Sequence, residues 1–204
     1  MHRIWLGFAV IMLSACAGVK IEQPGPGNLS AYQDRVTKLK AISDWSFVGK
    51  ISLDDGDQGG SGRLQWMVDP DGSELDFHGA MGRGAWNLWI GPEHAVLKLA
   101  NGEEHTAAGV NALIQQQMGW PVPVDALQWW VRGLAAPGPV DEQRLDQSGL
   151  LTHLVQFGWG VDFNRYDQNP QLAMPTRLVA ERENYRVKLA ISNWRIGYGR
   201  DAGN

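Results

Sequence analysis

A single cysteine, Cys16, serves the whole 204-residue chain. That excludes a disulfide framework and a thiolate-rich metal site. Histidine is equally sparse. His78, His94, His105 and His153 are scattered, and none stands in an HxxxH or HExxH spacing. Nor is there an excess of positive charge: the net charge is −4, which argues against nucleic acid as a partner. Gly79, Gly82 and Gly84 do not form GxGxxG, and no βαβ pattern surrounds them. The segment "DDGDQGG" resembles a calcium loop only in part. Gly59 stands where a third acidic ligand is needed and Trp66 where the bidentate Glu belongs. Adjacent carboxylates such as Asp54 and Asp55, or Glu103 and Glu104, lie on turn-like stretches. Neighbouring strand residues point to opposite faces, so these do not form an acid/base pair. No catalytic site, metal site or cofactor is expected, and the chain does not read as an enzyme.

Long apolar runs are short of spanning length as well. Ile4 to Ala15 is twelve residues, too few for about 30 Å of hydrocarbon. With Arg3 ahead of it, this run reads as a secretory signal over residues 1–15. It ends in Leu13-Ser14-Ala15-Cys16, which matches a bacterial lipobox, so Cys16 is expected to carry lipid. Residues 16–27 ("CAGVKIEQPGPG") are a Pro/Gly/polar tether without periodicity. Ala17 and Gly18, in place of Asp after the lipid site, point to the periplasmic face of the outer membrane.

What is abundant is tryptophan: ten residues, in a chain that is 44% apolar and 20% charged. This composition is globular, not disordered. Two readings of the tryptophans stay open, a bulky core or the lining of a large apolar or sugar-binding cavity. Asn28 or Ser30 caps a helix through about Ile42, with Tyr32, Val36 and Leu39 on one stripe. The period then becomes two. Phe47, Ile51 and Leu53 share a face, as do Leu64, Trp66 and Val68, then Leu75 and Phe77, then Trp86, Leu88 and Ile90, then Ala95, Leu97 and Leu99. Gly, Pro and Asp turns separate these runs, the pattern of an antiparallel meander. Two helices follow. Val110, Leu113, Ile114 and Met118 form one face, with Thr106 as the expected cap, and Leu127, Trp130, Val131 and Leu134 form the other. Strands resume from Leu151 to the end of the "YRVKLAISN" run. The expected architecture for residues 28–204 is mainly β with α. A single curved antiparallel sheet of about eleven strands makes an incomplete barrel, with a helical lid over a hydrophobic cavity.

The segments "GWPVPVDALQWWVRGL" and "QLAMPTRLVAERENYRVKLAISNWRI" resemble the LolB family, and the resemblance runs over nearly the whole chain. It implies a receptor that takes acylated lipoprotein cargo from a LolA-like periplasmic carrier and inserts it into the outer membrane. It also implies attachment to that membrane by the N-terminal lipid, with a monomer expected. The family carries a protruding apolar residue, usually Leu in an Asn-Pro-Leu-Gly setting, between two early strands. Here "GAMGR" stands at that place, which makes Met81 the membrane-insertion residue. Gly-Ala replaces Asn-Pro and loosens the turn. The alternative is that Met81 folds back onto the sheet. Alternation and helix spacing nominate Phe47, Leu64, Trp66, Leu75, Trp86, Leu88, Leu127 and Trp130 as cavity lining. Two rivals stand beside this reading. A soluble LolA-like carrier would lack Cys16, and a lipoprotein binding a glycan or another hydrophobic ligand would use the tryptophans differently.

Overall fold

The computed structural model describes residues 27–80, 84–169 and 171–197. Cys16, Met81, the expected signal and all but the last residue of the expected tether lie outside the described residues. The first element is helix α1, Leu29–Lys40, capped by Asn28, whose side chain accepts from the Ala31 N–H at 3.0 Å. Asn28 rather than Ser30 therefore supplies the cap, because its carbonyl oxygen meets an amide that has no intrahelical partner.

Six strands then run in a meander: β1 Trp45–Asp54, β2 Gly59–Asp69, β3 Gly72–Gly79, β4 Trp86–Ile90, β5 Ala95–Leu99 and β6 Glu104–Ala107. Helices α2 (Val110–Met118) and α3 (Val124–Trp130) follow. The chain re-enters the sheet as β7 Glu142–Leu145, β8 Leu151–Gln156, β9 Trp159–Tyr166, β10 Pro175–Arg182, β11 Tyr185–Ile191 and β12 Arg195–Ile196. The strand order is β6-β5-β4-β3-β2-β1-β11-β10-β9-β8-β7, with β12 pairing the start of β1. The described ladders are antiparallel throughout. The sheet has two free edges, β6 and β7, so the barrel is incomplete. Both meanders converge on β1, which pairs β11 through the Gly49↔Ile191 to Asp54↔Arg186 register.

Alternation accounts for the strand faces. In β1, Trp45, Phe47, Gly49, Ile51 and Leu53 are buried, and the residues between them are exposed or half-buried. Burial of such a face is the main stabilising term, about 25 cal/mol per Å² of apolar surface. The helices lie against that face. α2 packs on β5 and β6 through Val110, Leu113 and Ile114. It ends at Gly119, whose φ of 71° is a left-handed cap conformation that favours glycine. Thr106 does not cap this helix. It belongs to β6 and pairs with Val96, so its backbone is committed to the ladder, and Gly109 occupies the cap position. α3 stops at Trp130, earlier than the apolar spacing through Leu134 predicts. Gly133 at φ 72° turns the chain there, and a Cβ at that position would sit 2.8 Å from the Tyr166 hydroxyl.

Candidate functional site

The space between sheet and helices is built from neighbouring strands. Register sets Leu75 beside Leu88, Leu88 beside Leu97, and Phe77 beside Trp86. Leu127 of α3, with Ile114 and Met118 of α2, closes over them. Five of the residues nominated from the sequence, Leu64, Leu75, Trp86, Leu88 and Leu127, border one apolar space here of about 40 Å³. Only this small volume is left between the helices and the strands. The helices are therefore seated on the sheet. The small space shares Leu53, Trp86, Met118 and Trp120 with an open cavity of about 820 Å³. Gly79, Ala80 and Gly84 form part of the rim of that cavity. They are described residues that flank the connection carrying Met81.

Phe47, Trp66 and Trp130 are buried but do not border the small space. Phe47 and Trp66 belong to an aromatic group with Trp45 and Trp194. The Phe47–Trp194 centroids are 5.0 Å apart and those of Trp45–Trp66 5.6 Å, both tilted. Trp66 Nε1 donates to Ser73 Oγ at 2.7 Å, which satisfies two buried polar groups at once. Trp130 Nε1 donates to Gln156 Oε1 at 3.0 Å.

Four buried polar residues were not singled out from the sequence: Ser73, Arg35, Arg132 and Gln156. Arg35 stands on the helical stripe of Tyr32 and Leu39, and Gln156 two residues after buried Leu154, so each occupies a position where the pattern calls for an apolar side chain. Arg35 Nη2 donates to the Arg132 carbonyl at 2.8 Å. Arg132 in turn donates from Nε to the Gln128 carbonyl at 3.2 Å and from Nη1 to the Leu39 carbonyl at 3.4 Å. Those carbonyls belong to the last turns of α3 and α1. A guanidinium thus meets the negative ends of two helix dipoles. Its planar face lies 4.8 Å from the Trp129 ring centroid and 5.5 Å from that of Trp45. Burial draws the Arg132 pKa down to about 10, which leaves it charged at neutral pH. Among the described residues neither arginine forms an ion pair with a carboxylate.

Arg132 thereby ties α1 to the turn that ends α3. Arg132→Leu leaves the Gln128 and Leu39 carbonyls without this donor, and the expected loss is about 2–4 kcal/mol. Arg132→Lys is expected to recover less than half, since one ammonium cannot reproduce the flat fork between two carbonyls and two rings. Urea denaturation of the three proteins checks this. Equal stability of all three would show that the guanidinium is not a tie.

The α2–α3 pair is held at its N-terminal ends. Asn111 Nδ2 donates to Asp125 Oδ2 at 3.1 Å, and the Asp125 N–H donates back to Asn111 Oδ1 at 3.4 Å. Among the described residues, no group of three or more His, Cys, Asp or Glu side chains could hold a metal ion. No described helix is long and apolar enough to cross a membrane.

Comparison with known proteins follows the same lines. The family model described as "Outer membrane lipoprotein LolB" matches residues 43–194. A protein named outer-membrane lipoprotein LolB from Alkalilimnicola ehrlichii is 34% identical over 191 residues, covering 93% of this chain and 94% of its own length. Another of that name from Pseudomonas fluorescens is 32% identical over 195 residues, covering 95% of each. Among solved structures, a LolA superfamily protein from Nitrosomonas europaea superposes with a TM-score of 0.53 at 11% identity, over 84% of this chain and 94% of that one. At that identity the likeness is one of fold.

Proposed function

Because this chain belongs to the LolB family of outer-membrane lipoproteins, we propose that it accepts acylated lipoproteins from a LolA-like periplasmic carrier, shields their acyl chains between sheet and helices, and inserts them into the outer membrane. The observation that carries this reading is the apolar space bounded by Leu64, Leu75, Leu88 and Leu127, which shares Trp86 and Met118 as walls with the wider cavity. Its lining is apolar throughout, which favours acyl chains over a glycan. A sugar would need hydrogen-bonding side chains beside the aromatic rings.

Shielding has a physical purpose. Each methylene left in water costs about 0.8 kcal/mol, so an acyl chain leaves a carrier only for another apolar site. With about 40 Å³ free, entry requires α2 and α3 to move off the strands as the chain slides in. Directional transfer without an energy source requires this site to bind more tightly than the carrier and less tightly than the bilayer. No catalytic step is involved, and the chain acts as a monomer. Residues 1–15 are a cleaved signal, residues 16–27 a tether, and residues 28–204 the cargo-binding domain. Lipid on Cys16 holds the protein on the periplasmic face.

The test mixes carrier–lipoprotein complex with this protein and follows the cargo. Cargo is expected to move from the carrier onto the wild type, whose intact mass carries acyl groups at Cys16. The Cys16→Ala chain, expressed with a cleavable secretory signal, is expected to be soluble and still to take cargo, because residue 16 is outside the cavity. Cargo that stays on the carrier with both proteins would overturn the reading. An unmodified Cys16 would overturn the anchor alone.

A further inference from the structure

The outer face of the sheet carries a row of basic residues that no ion pair neutralises among the described residues. Register aligns His78 of β3 with Arg63 of β2, Arg63 with Lys50 of β1, and Lys50 with Ala190 of β11. Ala190 is aligned with Arg177 of β10, and Arg177 with Arg165 of β9. All six positions are exposed. Strands are spaced about 4.8 Å apart, so the row runs about 24 Å along the sheet from strand to strand, with an irregular register at Arg177. Its side chains border a shallow depression of about 950 Å³, whose floor at Ala190 lacks bulk.

Elsewhere on the sheet, four exposed cations are matched, while Lys188 of β11, two positions from Ala190, and Arg195 of β12 are exposed without an ion pair among the described residues. Lys98 sits with Glu104 at 2.7 Å, Arg144 with Glu142, Arg182 with Glu183 at 3.8 Å and Arg186 with Glu181. Among the described residues, Lys50, Arg63, Arg165 and Arg177 form no ion pair and no side-chain hydrogen bond. Carboxylates at flanking positions are already engaged. Asp76 accepts from Asn87 at 2.8 Å, and Asp162 lies 2.6 Å from His153 Nδ1. Aligned like charges repel across strands, so the row costs stability. It is also out of keeping with a chain whose net charge is −4.

We infer that this row is a docking surface for the anionic phosphate headgroups of a lipid bilayer. A repeating array of phosphates offers one anion after another to a row of cations that crosses the sheet. The row also adjoins the Met81 connection, since His78 belongs to it and Gly79 and Ala80 follow directly. Cations that meet headgroups there bring the end of the sheet that carries Gly79 and Ala80, which also line the cavity, next to the bilayer. This rests on the outer-membrane reading above, and supplies the orientation that reading lacks.

The test uses the full mature chain with Cys16→Ala, so that no acyl group of its own dominates, and flotation with vesicles. Binding is expected to vesicles of phosphatidylglycerol with phosphatidylethanolamine, to be weak to phosphatidylcholine alone, and to fall with added salt. Each basic residue near an anionic surface accounts for about fivefold in partition, so Lys50→Gln/Arg63→Gln/Arg177→Gln is expected to lose about 100-fold. The matched variant Lys98→Gln/Arg144→Gln/Arg186→Gln makes the same change in net charge off the row and is expected to bind nearly as wild type. Near-ultraviolet circular dichroism confirms that both are folded. Equal loss in both variants would reduce the effect to net charge and overturn the inference, as would unchanged vesicle binding. Loss of affinity for an acidic carrier protein, with vesicle binding kept, would make the row a protein interface instead. Cargo acceptance in solution is read in parallel. It is expected to survive in the row variant, and its absence from every protein would sink the transfer reading while leaving vesicle binding intact.

Discussion

Trp130→Glu is expected to lower stability by about 3–5 kcal/mol, a large share of the 5–15 kcal/mol that holds a typical domain folded. Trp130 is fully buried, with 0% exposure. The substitution places a carboxylate in that site and removes the donor to Gln156. Gln156 is a hub: its Oε1 also accepts from the Ala136 N–H at 3.0 Å, and its Nε2 donates to the Ala136 carbonyl at 2.8 Å. This one side chain fixes the exit from α3 to strand β8. Trp130→Phe keeps a ring and leaves Gln156 Oε1 its Ala136 partner, so the expected loss is smaller, about 1–2 kcal/mol. Urea denaturation separates the two. A Trp130→Glu protein that unfolds at the wild-type midpoint and still takes cargo would show that this side chain is not packed as described.

The strands legible in the sequence are those whose inner face is uniformly apolar. β1, β2, β3 and β5 alternate cleanly, β4 ("WNLWI") less so because Trp89 stands among its outward positions, and the structure places all five where period-two spacing predicts. β6 and β7 are "EHTA" and "EQRL", the edges of the sheet. Edge strands are kept short and polar because a long apolar edge invites pairing with another chain, and so they carry little alternation to read. The interior was harder to resolve. Alternation says which face a residue takes, and it assigned Phe47 and Leu64 to the same inner face. It does not say what lies opposite. Phe47 meets Trp194, which is 147 positions along the chain from it, whereas Leu64 meets α3 and its neighbours. That difference depends on the long return of the chain to β1. Arg35 and Arg132 were illegible for a related reason: they donate to backbone carbonyls, and a carbonyl has no residue type to recognise.

Met81→Glu is expected to leave folding and cargo acceptance close to wild type and to slow delivery into liposomes by about 10–100-fold. We propose that Met81 acts after acceptance, at the bilayer. β3 ends at Gly79 and β4 begins at Trp86, so Met81 lies on their connection, and described residues on both sides of it rim the cavity. A chain leaving the cavity by that rim passes this connection. One apolar side chain entering hydrocarbon gains about 1.5–3 kcal/mol, enough to bias release but far below what anchors a protein. A carboxylate there faces a penalty that reaches about 2.5–3.5 kcal/mol at the bilayer centre and less near the headgroups, which sets the expected range. Met81→Leu, apolar and likewise unbranched at Cβ, is expected to deliver at nearly the wild-type rate. A transfer assay that scores cargo on this protein separately from cargo in liposomes reads both steps. If Met81→Glu also blocks acceptance, the side chain belongs to the cavity. If it leaves delivery unchanged, insertion depends on some other part of the surface, and the cation row of the outer face becomes the next element to test.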